Sequence, residues 1–250
     1  MKSMAVVVLL AWLLPGLASA ERVTLAAEDD WAPYSVIGQD GSSPQGFAVD
    51  LVRAAFATQG VEVDFLTVPF SRCLFYAQGT RAVGCFDVTI TEANREQYIW
   101  HPTPLFEEGL AIFGRSDDPR THMGAKDLAG KLVGITNGYT YPTSFMEDPA
   151  IRRHSANSDS QLLQMLVAGR LDYILLNTMP GYMRIEQDAN LRGKVKLTGV
   201  LQTDGFWVAF SKAHPDGARM AQLFEKGLQA LHKSGRYASM TAAFRKRYRQ

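Results

Sequence analysis

The sequence predicts an α/β fold in which strands alternate with helices, so that each sheet is doubly wound and mostly parallel. Short apolar segments rich in β-branched residues recur between segments with helical periodicity. Residues 115–120 then form a polar run that contains Pro119, and the strand–helix pattern restarts after it. A polar, proline-containing run between two such patterns is typical of a crossing between two lobes.

The first half of the chain contains four predicted strands and two predicted helices. Alternating or continuous apolar residues predict strands over 22–27, 61–65, 83–90 and 105–114. An apolar stripe predicts a helix that begins at Phe47 and stops at Gly60, and a second helix is expected over 71–78.

The second half repeats this alternation. Strands are predicted over 132–136, 171–176, 195–197 and 205–211, the last crossing back between the lobes. Helices are predicted from Thr140, with Pro142 in the first turn, over 160–168, after Pro180, and as two amphipathic segments at the C-terminus. We therefore expect lobe one to contain residues 21–115 and 208–250, and lobe two to contain residues 116–207.

The N-terminus has the pattern of a Sec signal peptide. Lys2 precedes an apolar run over residues 5–17, and Ala18-Ser19-Ala20 offers a cleavage site after Ala20. The run is too short to span a bilayer, and no other segment has the roughly 20 apolar residues that a spanning helix needs. We expect a periplasmic protein without stable membrane insertion.

Composition excludes several function classes. Removal of Lys2 with the signal peptide leaves 25 basic and 25 acidic residues, and this neutral balance argues against nucleic acid as a partner. The chain has no nucleotide-binding loop, no zinc-protease motif and no serine-hydrolase motif, and its five histidines lack ligand spacing. We expect no metal, no cofactor and no catalytic residue.

The two cysteines, Cys73 and Cys85, are predicted to form a disulfide. Exported proteins commonly oxidise an even set of cysteines, and the pair lacks the spacing of a redox motif. Two buried free thiols are the alternative.

Several separated segments resemble the periplasmic solute-binding proteins of family 3, which have the type II periplasmic binding fold. The segments are Trp31-Ala32-Pro33-Tyr34, Gly46-Phe47-Ala48-Val49-Asp50-Leu51, Thr91-Glu92-Ala93-Asn94-Arg95, Asp127 to Thr140, and Ala168-Gly169-Arg170-Leu171-Asp172. Their order and spacing carry the resemblance, which covers nearly all of the chain after residue 20. It implies two lobes joined by hinge crossings.

The resemblance implies a site for a ligand carboxylate. Arg95, in the segment that Thr91 opens, is expected to supply the planar guanidinium, and Thr140 is expected to supply a hydroxyl with N–H groups of a helix start. One extra residue separates Thr91 from Arg95 compared with the family, so Arg72 is an alternative.

The resemblance also implies the other walls of the site. Trp31, Tyr34 and Phe70 are expected to surround the ligand, although Tyr34 could equally pack inside lobe one. Asn177 stands where the family has an aspartate for the ligand's amino group, so Glu28, Asp29 or Asp30 could supply that anion instead.

The function expected from the resemblance is capture of a small polar, carboxylate-bearing ligand, such as an amino acid, by hinge closure. A monomer would then deliver the ligand to an ABC transporter permease. The alternatives are a periplasmic enzyme of the same fold, such as a small-acid dehydratase, or a ligand sensor for a separate receptor. For an enzyme, Glu107-Glu108 and Asp29-Asp30 offer carboxylates that could act as acid and base.

Overall fold

A computed structural model describes residues 21–248 of the chain. The predicted signal peptide lies outside the described residues. The structure is a mixed α/β fold with two lobes along one curled sheet, whose strand order is β10-β9-β11-β8-β12-β6-β1-β5, with β7 beside β12. The strands are β1 (Glu21–Glu28), β2 (Asp30–Trp31), β3 (Ser35–Ile37), β4 (Pro44–Gln45), β5 (Val61–Val68), β6 (Gly84–Val88), β7 (Tyr98–Trp100), β8 (Phe106–Arg115), β9 (Leu132–Thr136), β10 (Arg152–Ala156), β11 (Tyr173–Asn177) and β12 (Val195–Ser211).

The structure has seven α-helices within residues 21–248. They are α1 (Phe47–Ala57), α2 (Phe70–Gln78), α3 (Thr143–Met146), α4 (Asp159–Val167), α5 (Thr178–Gln187), α6 (Gly217–Lys233) and α7 (Arg236–Tyr248). Among the residues that the structure describes, no helix has the length and apolar character needed to cross a membrane.

The first lobe is organised around parallel strands. β1 pairs in parallel with β5 along its whole length and with β6 at Ala26 and Cys85. The apolar faces of α1 and α6 pack on this sheet and bury Phe56 and Phe224, whose rings lie 5.1 Å apart. The carboxyl ends of β1 and β6 therefore reach the same edge, where they can hold ligand-binding side chains.

The second lobe has a parallel core with one antiparallel neighbour. β9 pairs in parallel with β10 and β11, and β11 pairs antiparallel with β8. α4 and α5 cover one face, where Leu162, Leu166 and Ile185 belong to one buried cluster. β9 and β11 end at the junction with the first lobe.

Two long antiparallel strands connect the lobes. β8 pairs with β12 from Phe106, opposite Phe206, to Arg115, opposite Val195, and residues 207–211 of β12 continue beside β6 and β7. Residues 106–115 thus pair within the half of the sheet that contains β9 and β11. The division of the chain into lobes at residues 115 and 208 stays a prediction.

The prediction of two separate strands over 195–197 and 205–211 was wrong, because they are parts of the single strand β12. Register shifts at Leu197/Gly199 and Val200/Gln202 interrupt the regular pairing with β8. Such irregularities break the side-chain alternation from which strands are recognised.

Two predicted helix starts were also wrong. α3 begins at Thr143 and not at Thr140, and Pro142 precedes it as the N-cap residue. Residues 139–141 instead form a loop. The ring of Tyr139 packs against apolar clusters of both lobes, and Tyr141 is buried in that of the second lobe. α5 begins at Thr178, before Pro180, because proline is tolerated in a first turn where its N–H has no helical partner.

The predicted disulfide is confirmed. Cys73 on α2 is bonded to Cys85 on β6, with the two Cα atoms 5.4 Å apart. Both cysteines are buried among Ala26, Phe70 and Ala209. The bond therefore fixes the helix that carries Phe70 to a central strand of the first lobe.

Candidate functional site

A small cavity lies where the strand ends of the two lobes meet. Its volume is about 20 Å³, which is space for about one water molecule. Its lining comprises Glu28, Trp31, Phe70, Asp87, Thr89, Leu110, Tyr139, Thr140, Tyr141, Asp159, Leu175, Leu176, Asn177, Asp204 and Phe206. The structure therefore brings together five of the predicted site residues: Glu28, Trp31, Phe70, Thr140 and Asn177.

Aromatic rings form the apolar walls. Trp31, next to the end of β1, lies 5.0 Å from the ring of Phe206 on β12. Phe70, the first residue of α2, meets Tyr139 of the second lobe edge-on at 5.4 Å. Trp31, Phe70 and Phe206 are buried, and their rings offer surfaces against which a flat or aliphatic group can pack.

Glu28 ends β1 and points its carboxylate across the junction. It is only 4% exposed, and Oε1 accepts a hydrogen bond from the Tyr139 hydroxyl at 2.5 Å. Burial raises the pKa of Glu28 well above its usual value, and repulsion from Asp87 adds to the rise, while the Tyr139 hydrogen bond opposes it. The bond between Glu28 and Tyr139 joins the two lobes.

Asp87 is a buried carboxylate without a partner. It lies in β6 at 3% exposure, and neither Oδ1 nor Oδ2 has a hydrogen-bond partner in the part of the chain that the structure describes. Its backbone has φ = 65°, a left-handed conformation that is uncommon for residues other than glycine. Burial raises the pKa of Asp87 well above its usual value. A buried carboxylate of this kind destabilises the fold unless something satisfies it.

Asp159, at the start of α4, is a second-lobe carboxylate with partners. Thr136 Oγ1 donates to its Oδ1 at 2.5 Å, and Arg184 Nε lies 3.5 Å from its Oδ2. Arg184 also bonds the carbonyl of Asp30 at 2.6 Å and its carboxylate at 3.0 Å. Arg184 is thus an ionic link between the lobes and already faces two carboxylates.

Thr140 meets the first lobe through its hydroxyl. Its Oγ1 lies 2.6 Å from Oγ1 of Thr89, which follows β6. Because α3 starts three residues later, Thr140 does not present the N–H groups of a helix start that the sequence analysis expected. Its hydroxyl is the group that reaches the cavity wall.

Asn177 and Asp204 complete the polar lining. Asn177 ends β11, and its amide nitrogen is 3.4 Å from the carbonyl of Gly109. Asp204 lies on β12, where the amide nitrogen of Gln202 contacts both of its oxygens at 2.6 and 2.7 Å. Glu28, Asp159 and Asp204 thus each have a hydrogen-bond partner, whereas neither oxygen of Asp87 has one among the described residues.

Arg95 and Arg72 do not line this cavity. Both residues are exposed. The Thr91–Arg95 segment folds into a turn in which Arg95 N donates to the Thr91 carbonyl at 2.9 Å, and Thr91 N donates to the Asn94 side chain at 2.7 Å. Arg95 and Thr140 therefore do not meet on one site in this structure. Thr91 lines a neighbouring surface depression together with Thr89 and Asp204.

Tyr34 packs inside the first lobe, the alternative that the sequence analysis had considered. Its ring stacks on Phe106 at 4.5 Å, and its hydroxyl donates to the buried carboxylate of Glu108. The main-chain N–H of Met179 donates a hydrogen bond to the other carboxylate oxygen of Glu108 at 2.9 Å. Tyr34 thus supports the lobe junction from behind the cavity.

Sequence reasoning missed Asp87, Asp159 and Tyr139. A signal existed for Asp87, because a lone carboxylate interrupts the apolar run from Val83 to Val88. Tyr139 stands inside the segment that carries the resemblance, but a loop tyrosine there gives no sign that it reaches Glu28.

The ionisable side chains that line the cavity are all acidic or tyrosine. Four of the lining residues are acidic, and none of the described residues that line the cavity is Lys, Arg or His. Within residues 21–248, no three His, Cys, Asp or Glu side chains are arranged to hold a metal ion.

Comparison with known proteins identifies the family to which the chain belongs. The model of the bacterial extracellular solute-binding proteins, family 3, matches residues 23–246. No curated protein sequence matched the chain. Many solved structures share the fold, and the three described next have less than 25% identity to this chain.

The first of these structures is a histidine kinase sensor domain with similarity to periplasmic binding proteins, with 23% identity, a TM-score of 0.76, and coverage of 90% of this chain and 96% of that one. The second is an ancestral arginine-binding protein bound to arginine, with 23% identity, a TM-score of 0.74, and coverage of 89% and 97%. The third is an amino acid ABC transporter substrate-binding protein from Streptococcus pneumoniae bound to L-arginine, with 20% identity, a TM-score of 0.70, and coverage of 88% and 92%. Since the family model spans almost the whole described chain, this protein belongs to the bacterial extracellular solute-binding proteins of family 3.

Proposed function

We propose that this protein captures a small polar organic solute between its two lobes by hinge closure and delivers it to the permease of an ABC transporter. The observation that carries the proposal is the cavity at the lobe junction, which takes polar and aromatic side chains from both lobes. A site divided in this way is complete only when the lobes come together, so solute binding favours the closed arrangement.

Contacts across the cavity support closure as the mechanism. Glu28 and Thr89 of the first lobe bond Tyr139 and Thr140 of the second. The cavity of about 20 Å³ is too small for an organic solute, so the lobes must separate or Tyr139 must move before a solute enters. The place where β8 and β12 pass between the lobes, near the pair Phe106 and Phe206, is the candidate hinge.

Delivery to a transporter is supported by the structural similarity to a substrate-binding protein of an amino acid ABC transporter. A sensing role has its own support, because a histidine kinase sensor domain has the same fold. Uptake of a radiolabelled solute separates the two roles: deletion of a transport component abolishes uptake, whereas deletion of a sensor changes the expression of other genes and leaves uptake intact.

Binding without chemistry is part of the proposal. The carboxylates named for an enzymatic role are poorly placed, since Glu107 is exposed on β8 and Asp30 is paired with Arg184. A bound solute should therefore be recovered unchanged after long incubation. Steady formation of a product, abolished by Glu107→Gln or Asp30→Asn, would favour an enzyme instead.

A thermal-shift screen tests the solute-binding role. The screen uses free amino acids, organic amines and small carboxylates, and a solute at one hundred times its dissociation constant should stabilise the protein by about 2.7 kcal/mol. Small-angle scattering should then show a change in the separation of the lobes between free and bound protein. Failure of every compound in all three classes to raise the melting temperature counts against the role.

The role of Arg95 or Arg72 as partner of a ligand carboxylate stays a prediction. If it holds, Arg95→Ala or Arg72→Ala weakens the binding of L-glutamate or another acidic compound from the screen. Lysine at the same position should restore little, because it lacks the planar pair of donors.

A further inference from the structure

We propose that the solute is an organic cation without a carboxylate, a primary amine or a guanidinium compound, and that Asp87 binds its cationic group. This inference rests on the proposed solute-binding function and names the chemical class of the solute. It differs from the expectation of a carboxylate-bearing ligand that the family resemblance gave.

The unpaired state of Asp87 is the first step. A carboxylate that is 3% exposed accepts hydrogen bonds in nearly all folded proteins, yet neither oxygen of Asp87 has a partner among residues 21–248. Its side chain lines the cavity, so a group that enters the cavity can reach it. An N–H-bearing cation supplies both the positive charge and the donors that this carboxylate lacks.

The second step is the sign of the charge around it. Glu28, Asp159 and Asp204 also line the cavity, and none of its described lining residues is basic. The nearby Arg184 is directed at Asp30 and Asp159. A carboxylate on the solute would meet no free guanidinium in this cavity and would be repelled by these groups where they are ionised. A cation favours their ionised form and is attracted by all of them.

The third step separates an organic cation from a metal ion. The acidic, His and Cys residues described by the structure do not form a metal-binding set. Trp31, Phe70 and Phe206 also line the cavity. Aromatic faces attract ammonium and guanidinium groups and pack against the carbon chain that carries them.

Glu28 supplies a second anchor. Its carboxylate accepts from the Tyr139 hydroxyl at 2.5 Å, so one donor already occupies the position that a solute can take. A solute with two N–H-bearing ends can place one on Asp87 and the other on Glu28 as Tyr139 moves aside. Diamines and amino-guanidines are therefore the best members of the class.

Matched pairs of compounds test the proposal by isothermal titration. Each pair has the same cationic side chain with and without the carboxylate: agmatine against L-arginine, and 1,5-diaminopentane against L-lysine. We expect the compound without the carboxylate to bind at least about tenfold more tightly in at least one pair, because only the amino acid brings a negative charge to the acidic cavity. Equal or tighter binding of the amino acid in both pairs overturns the proposal.

Two variants test whether Asp87 is the group that binds the cation. Asp87→Asn keeps the shape of the side chain. It should raise the dissociation constant of the tighter-binding amine at least about tenfold. The matched control is Asp117→Asn, which removes a carboxylate that is 82% exposed and should leave binding unchanged. Unchanged binding in Asp87→Asn, with the fold intact by circular dichroism, assigns the cation to another group and overturns the role of Asp87.

L-Glutamate, a neutral amino acid such as L-leucine, and calcium chloride complete the same panel. Binding of L-glutamate or L-leucine but of no amine refutes the organic cation while the solute-binding function stands. A response to calcium alone refutes it in favour of a metal ion. If no compound binds, both the inference and the proposed function fail.

Discussion

The Tyr139 hydroxyl donates to the carboxylate of Glu28 at 2.5 Å, and this bond joins the loop after β9 in the second lobe to the end of β1 in the first. Phe70 packs edge-on against the same tyrosine ring at 5.4 Å. The loop residue thus occupies the centre of the junction, where polar and apolar contacts from the first lobe converge on one side chain.

Replacing Tyr139 by phenylalanine should loosen this junction. Tyr139→Phe keeps the ring and removes the donor, so Glu28 remains buried and loses its partner. We expect the free energy of unfolding to fall by about 1–3 kcal/mol, the cost of leaving a buried acceptor unsatisfied. Urea denaturation at pH 7 measures this change.

A matched tyrosine provides the control. Tyr182 on α5 is 43% exposed, so Tyr182→Phe should change the free energy of unfolding by less than about 0.5 kcal/mol. Equal effects of the two substitutions would show that the bond between Tyr139 and Glu28 contributes nothing of its own.

Arg184 should be a stronger link between the lobes than an exposed arginine. Arg184→Met leaves the buried carboxylate of Asp159 without its cation, and the loss of one partner from a buried ion pair costs about 3–5 kcal/mol. The control is Arg219→Met, which removes exposed pairs with Glu21 and Asp216 and should cost much less, because exposed pairs contribute little to stability. Urea denaturation of both variants decides this, and similar losses contradict the prediction.

Sequence periodicity was sufficient for most of the fold. β1, α1 and β9 were predicted close to their observed bounds, because each has apolar residues on one face and a clear turn residue at an end. The two C-terminal helices were predicted from their apolar stripes without bounds. β10 was missed since its sequence, Arg-Arg-His-Ser-Ala, is polar and lies at the edge of the sheet. Its strand conformation comes from pairing with β9, which local sequence does not encode.

The site was predictable only in part for a different reason. Trp31, Phe70 and Asn177 follow or begin regular elements, so their position at the junction could be inferred from the topology. The contacts of Asp87 and Tyr139 depend on how closely the lobes approach each other. A residue pair that is 111 positions apart, such as Glu28 and Tyr139, leaves no periodic pattern.

Asp87 should make the protein less stable as the pH rises. Burial holds the pKa of Asp87 above the value of about 3.9 that an unfolded aspartate has. The unfolded chain therefore loses its proton first, and the contribution of Asp87 to stability falls as the pH increases from about 4. Asp87→Asn does not titrate, so it should be more stable than the parent at pH 7, with a smaller difference at pH 4.

Urea denaturation of the unliganded proteins at several pH values measures this difference. Asp117→Asn, at an exposed position, should follow the parent at every pH. A loss of stability at pH 7 in Asp87→Asn would mean that the carboxylate has a structural partner and is not held for a solute.

His101 should have the opposite effect, since it is a buried base. Its side chain is fully buried, its Nε2 accepts from Val208 N at 2.9 Å, and its Nδ1 lies 3.6 Å from the carboxylate of Glu225. Burial lowers the pKa of His101 to about 4, although Glu225 opposes this shift. An unfolded histidine takes up its proton near pH 6.5.

Between pH 6.5 and 4 the unfolded chain is therefore protonated at His101 while the folded protein is not, and stability falls as the pH decreases. The whole effect is about 3 kcal/mol, because the pKa falls from about 6.5 in the unfolded chain to about 4 in the folded protein. His101→Gln keeps an acceptor for Val208 N and does not titrate, so its stability relative to the parent should rise by about this amount from pH 7 to pH 4. His154→Gln, at an exposed position on β10, should show no such trend. Parallel pH profiles for the parent and His101→Gln would mean that the pKa of His101 is the same in the folded and the unfolded protein.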